Sequence, residues 1–171
     1  MSLRNLYFAR FGFAVVWGAL LAVTAKDLGA VAVALLVLYP LVDVAAAVVD
    51  LRSSKMKGLY VNIAMSTLAA VGLAIASTSG IPAVLRVFGA WAVVAGLIQL
   101  GVALSRRKLG GQWAMIVSGA GSVLAGSSFI LGAGKDGASL TNLAGYAVVG
   151  GVFFLISALR LSRAARTAKA A

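Results

Sequence analysis

Six apolar runs divide the chain, at 7–25, 28–49, 59–76, 83–104, 113–131 and 140–161, each followed by a short polar interval or tail. About 20 apolar residues, rising ~1.5 Å each along a helix, cross a hydrocarbon core. None of the runs alternates polar and apolar residues in the short segments of a barrel strand, so helix is the predicted element. The intervals 26–29, 77–82 and 132–139 are rich in turn formers and predict tight helical hairpins. Val23, Thr24 and Ala25 resemble a signal-peptide cleavage site, but five further runs follow and a retained first span is expected.

Composition agrees with a lipid solvent. Of 171 residues, 62% are hydrophobic and 11% charged, and the mean hydropathy is +1.04. A soluble domain carries about a quarter charged residues, so there is too little polar surface here to cover a water-soluble globule. The predicted fold is an all-α membrane protein of six transmembrane helices, one transmembrane domain over 1–171 with a basic cytoplasmic tail at 164–171.

The net charge of +11 is read by position. Twelve cations fall at one end of the spans: Arg4, Arg10, Arg52, Lys55, Lys57, Arg106, Arg107, Lys108, Arg160, Arg163, Arg166 and Lys169. Only Lys26, Arg86 and Lys135 fall at the other, two of them beside Asp27 and Asp136. Basic residues collect on the cytoplasmic side, so both termini are expected in the cytoplasm and anionic lipids at the basic loops. The same scatter argues against nucleic acid as a partner, because the cations punctuate the spans instead of forming one face.

Two markers recur. Gly18, Gly72 and Gly126 are spaced by 54 and 54, and Tyr39, Trp91 and Tyr146 by 52 and 55. They predict three parallel helical-hairpin repeats, about 4–53, 57–107 and 110–163, related by an axis along the membrane normal.

Three stretches carry a family resemblance. LYFARFGFAVVWGALLAV (6–23) places Gly18 eight residues after Arg10; LYPLVDVAAAV pairs Tyr39 with Asp43; GAWAVVAGLIQLGVAL (89–104) repeats the pattern without the acid. These resemble the HdeD-like acid-resistance membrane proteins, although Phe11 stands where that family usually has glycine. The resemblance implies a six-helix bacterial inner-membrane protein linked to acid or envelope stress. It supplies no catalytic residues and no cofactor.

Chemistry-bearing residues are few. The chain has no cysteine, histidine or glutamate, and four aspartates, which leaves no thiolate metal site, no usual acid–base pair and no expectation of an enzyme. Phosphate-loop, dinucleotide and nucleophile-elbow motifs are missing too. Asp43 lies inside a span, where a carboxylate costs about 2.5–3.5 kcal/mol on insertion scales. Arg10 sits at similar depth on the neighbouring run, both about 7–10 Å in at ~1.5 Å per residue. One reading pairs them as an intramembrane ion pair or proton site; the other lets Arg10 snorkel while Asp43 is protonated or meets water.

Asn62 and Gln99, with Ser66, Ser118 and Ser157, are candidates for a polar cavity or for plain interhelical hydrogen bonds. Arg86 is a candidate outer anion contact, with snorkelling as the alternative. Tyr39, Trp91 and Tyr146 are read as packing residues, and Tyr7, Tyr60 and Trp113 as an interfacial belt. Ser118, Ser122 and Gly126 form a small-residue stripe for close helix approach, within the bundle or in a homo-oligomer. Pro40 predicts a kink before Asp43, and Asp50 is expected at the membrane surface. The leading functional reading is a non-enzymatic HdeD-like membrane protein. The alternatives are a small ion or solute transporter or channel using Asp43, and an accessory subunit bound to a membrane-protein partner.

Overall fold

The computed structural model describes residues 1–170; Ala171 and the side chains of 168–170, Lys169 among them, lie outside that description. The chain forms six long helices: α1 (Leu3–Thr24), α2 (Ala30–Ser54), α3 (Gly58–Ala76), α4 (Ile81–Ser105), α5 (Gln112–Gly132) and α6 (Thr141–Ala170). All six are long and apolar enough to cross a bilayer, and the chain is a multi-pass membrane protein. Several helices outrun their apolar segments: α1 begins at Leu3, α2 continues to Ser54, and α6 passes through most of the tail. Hydropathy marks where lipid ends, whereas the backbone hydrogen-bond ladder continues into polar sequence.

Short connections reverse the chain. Lys55 closes α2 in the left-handed region (φ 53°), its N–H donating to the Leu51 carbonyl. Gly110 and Gly111, both at positive φ, turn the chain from the 3-10 turn Arg107–Leu109 into α5. A side chain at either position would be strained.

Each helix packs on its neighbours in sequence, and α1 closes on α6, so the six form a ring. The contacts of α4 with α5, α1 with α6 and α2 with α3 are more extensive than those of α1 with α2 or α5 with α6. At the α4–α5 crossing the backbones nearly touch. A Cβ on Gly126 would lie 2.5 Å from the Gly89 carbonyl oxygen, and one on Gly119 would lie 2.8 Å from that of Gly96. Without water to drive helices together, such close packing of small residues is a main source of association in lipid. The contact stripe differs from the expected Ser118–Ser122–Gly126. It runs through Gly119, Ser122 and Gly126, while Ser118 turns inward, because four-residue steps drift around a helix and two full turns return to the same face.

The ring's interior is aromatic towards the end away from the termini. Phe88, fully buried, lies 5.2–6.4 Å by ring centroids from Trp17, Tyr39, Trp91, Phe129 and Tyr146. Several pairs meet edge to face, the geometry that aromatic quadrupoles favour. Pro40 removes one amide donor from α2; one residue away from the Leu36 carbonyl left without it, the Trp17 indole donates to the Leu35 carbonyl at 2.6 Å.

Candidate functional site

Directly beyond the aromatic cluster, towards the end bearing the termini, lies a cavity of about 90 Å³ to which all six helices contribute. That volume holds a few water molecules, at about 10–15 Å³ each by this measure. Asp43 is in its wall. Helix α2 carries Asp43 on the stripe that includes Tyr39 and Ala47, four residues to either side, and all three face the cavity.

Both oxygens of the Asp43 carboxylate accept from donors on two other helices. Arg10 of α1 bonds its Oδ1. Asn62 Nδ2 and Ser66 Oγ of α3 donate to Oδ2 at 2.6 and 2.9 Å. Trp91 of α4 then donates to Ser66 Oγ at 2.9 Å. The network ties four helices through one buried carboxylate, whose side chain is 8% exposed. Arg10 is further held over the Phe154 ring of α6, 4.3 Å from its centroid. Its side chain remains 25% exposed and lines the cavity.

A second pair lies two turns along α2. Arg106 Nη1 and Nη2 reach Asp50 Oδ2 and Oδ1 at 2.7 and 2.8 Å, and Arg106 Nε also meets Met56 Sδ at 3.1 Å. Burial opposes the Arg106 charge, yet the bonds to Asp50 and its negative charge outweigh that, and the Arg106 pKa is raised. Asp50 is therefore buried in an ion pair. Its seven-residue offset from Asp43, two helical turns, was the signal that both acids share a face. The partner, Arg106, reads from sequence as one more loop cation.

The remaining candidates separate. Gln99 lines the cavity and donates to the Met115 carbonyl at 3.1 Å; Ser118 lines it too. Ser157 points elsewhere, donating to the Gly111 carbonyl at 2.8 Å. Tyr7 is buried against Phe154 and lines the cavity, so it is not part of an interfacial belt; its place in the span's first turns could not tell inside from outside. Tyr60 and Trp113 are exposed, Trp113 beneath the Arg160 guanidinium. Arg86 is exposed at the opposite end, far along α4 from the cavity's charges.

The arrangement neutralises its charges in pairs: Arg10 with Asp43, Arg106 with Asp50. With both carboxylates held between helices by cations, the two pairs brace the bundle. Compared with protein-family models, with curated proteins and with solved structures, the chain matches none.

Proposed function

We propose that this chain is a non-enzymatic protein of the bacterial cytoplasmic membrane, with both termini and the basic end of the bundle in the cytoplasm. The observation that supports the non-enzymatic reading is the engagement of both Asp43 oxygens by Arg10, Asn62 and Ser66. The one acid deep in a span is engaged in holding helices together. Support for tolerance of acid or envelope stress comes from the HdeD-like resemblance.

Three parallel hairpins, 4–53, 57–107 and 110–163, fit the cavity wall. Tyr39, Trp91 and Tyr146 line it, as do Asp43, Ala95 and Gly150 four residues on, and Ala47, Gln99 and Phe154 four further. The stronger contacts recur at every second interface of the ring, which also suits a three-fold arrangement. Gly72 departs from it: a Cβ there would meet Val87 of α4, whereas Gly18 and Gly126 face the helix that precedes them around the ring.

A second reading, a small-solute or ion transporter, is favoured by the cavity beside Asp43. Asp43→Asn separates the two in purified, reconstituted protein. The brace expects a lower melting temperature and no flux in either form. Transport expects flux in the native protein that the variant abolishes. Deleting the gene and measuring survival at low pH tests the stress role; unchanged survival removes it.

A further inference from the structure

The interface between α5 and α6 is unlike the others. The α4–α5 crossing is locked by glycines, and the α1–α2 interface is bridged by Arg10–Asp43 and by Trp17 on the Leu35 carbonyl. Between α5 and α6 lies a groove of about 310 Å³ at whose rim Gly121, Asn142, Gly145 and Val149 are exposed. Glycines keep it open: a Cβ on Gly121, Gly145 or Gly150 would meet nothing within 4 Å. Its walls are apolar at Ala125, Phe129 and Phe153.

The groove lies back to back with the central cavity. Ser118, Ser122, Tyr146 and Gly150 line both it and the central cavity. Within this shared wall Tyr146 Oη donates to Ser122 Oγ at 3.0 Å. The apolar groove and the polar chamber therefore share a wall, and a hydroxyl pair is part of it.

We propose that this is a binding site for a single-chain amphiphile with an uncharged, hydrogen-bonding head, such as a long-chain alcohol, entering sideways from the membrane. The tail lies along the α5–α6 groove and the head displaces the Tyr146–Ser122 bond to meet Ser118, Ser122 and Gln99. Head charge is excluded because the chamber's two cations are matched by two carboxylates, so an ionic head would be desolvated without a counter-ion. The surrounding solvent supplies the occupant, since a water-facing groove of this kind would select differently. The inference rests on the membrane-spanning fold and is independent of any stress role.

The test is photolabelling of the full chain in phosphatidylcholine vesicles, using hexadecanol with a diazirine on its chain. Adducts are expected on α5 and α6 around Ser118, Ser122 and Tyr146. Plain hexadecanol should compete, while hexadecyl sulfate and hexadecyltrimethylammonium should compete about tenfold less well. Gly145→Trp and, separately, Gly121→Leu fill open space, so both should melt like the native protein and lose the adducts. Label spread evenly over all six helices, or unchanged in whichever plugged variant keeps its native melting temperature, overturns the site. Equal competition by the charged compounds overturns the uncharged head.

Discussion

Arg106 grips Asp50 in a two-pronged contact, at 2.7 and 2.8 Å, joining the end of α2 to the end of α4 across 56 residues of chain. Both side chains are nearly buried, at 7% and 11% exposure. Bidentate geometry of this kind is among the stronger charged contacts, and its partners are costly to separate. Asp50→Asn is expected to lower unfolding stability in detergent by about 3–5 kcal/mol, because a buried guanidinium loses its counter-charge. The double variant Asp50→Leu/Arg106→Met should recover most of that loss. A double variant as unstable as the single one would mean the pair is not the source of the effect.

The same logic applies deeper in the bundle with a different weighting. Arg10→Met leaves Asp43 with its two neutral donors, Asn62 and Ser66, whereas Asn62→Leu leaves the ion pair intact. Arg10→Met is expected to cost about 3–5 kcal/mol, and Asn62→Leu about 1.5–3 kcal/mol, the range for a hydrogen bond to a charged group. Denaturation midpoints for the two variants, measured side by side, check that order.

Helix approach at the α4–α5 crossing predicts a contrast between glycines. Gly126→Ala would drive a Cβ to 2.5 Å from the Gly89 oxygen and should cost about 1–3 kcal/mol through backbone shift. Gly121→Ala, five residues earlier on the same helix, meets open space. It should be neutral or stabilising by up to about 1 kcal/mol, the propensity difference between the two residues. Equal effects would remove the close crossing.

Gln112 offers a prediction of opposite sign. It is 1% exposed, and among the described residues its Oε1 has no hydrogen-bond partner, while Nε2 has only a 3.4 Å contact with the Gly110 carbonyl. Gln112→Met keeps the shape and removes a buried acceptor whose isolation costs about 1–3 kcal/mol. Thermal melting should be unchanged or raised.

Much of the fold could be read from the sequence because lipid leaves few options. Every backbone polar group must be paired within the segment, so six apolar runs could be read as six helices. Depth along a span could be counted as well, and it places Arg10 and Asp43 at the same level. Rotation about the helix axis could not be counted. Tyr7 turns inward while Tyr60, at a comparable place in α3, turns out, and the weak amphipathicity of helices in lipid leaves no mark that distinguishes them. Arg106 follows the same pattern. Its charge reads as one of a loop trio, and only the packing of α2 against its neighbours brings Asp50 beneath it. The α5–α6 groove was hidden for a related reason: glycine reads alike whether it admits a neighbouring backbone, as at Gly126, or leaves a gap, as at Gly145.

The proposed topology is a six-span bundle whose basic end faces the cytoplasm. The chain has no cysteine, so single cysteines can be placed at exposed positions and probed with a membrane-impermeant maleimide. Ser79→Cys and Asp136→Cys should label in intact cells; Lys55→Cys and Lys108→Cys should label only after the membrane is broken. Labelling of Lys55→Cys or Lys108→Cys in sealed cells, with Ser79→Cys and Asp136→Cys protected, would contradict the orientation, and a Ser79 and Asp136 pair that disagreed with each other would contradict the count of spans.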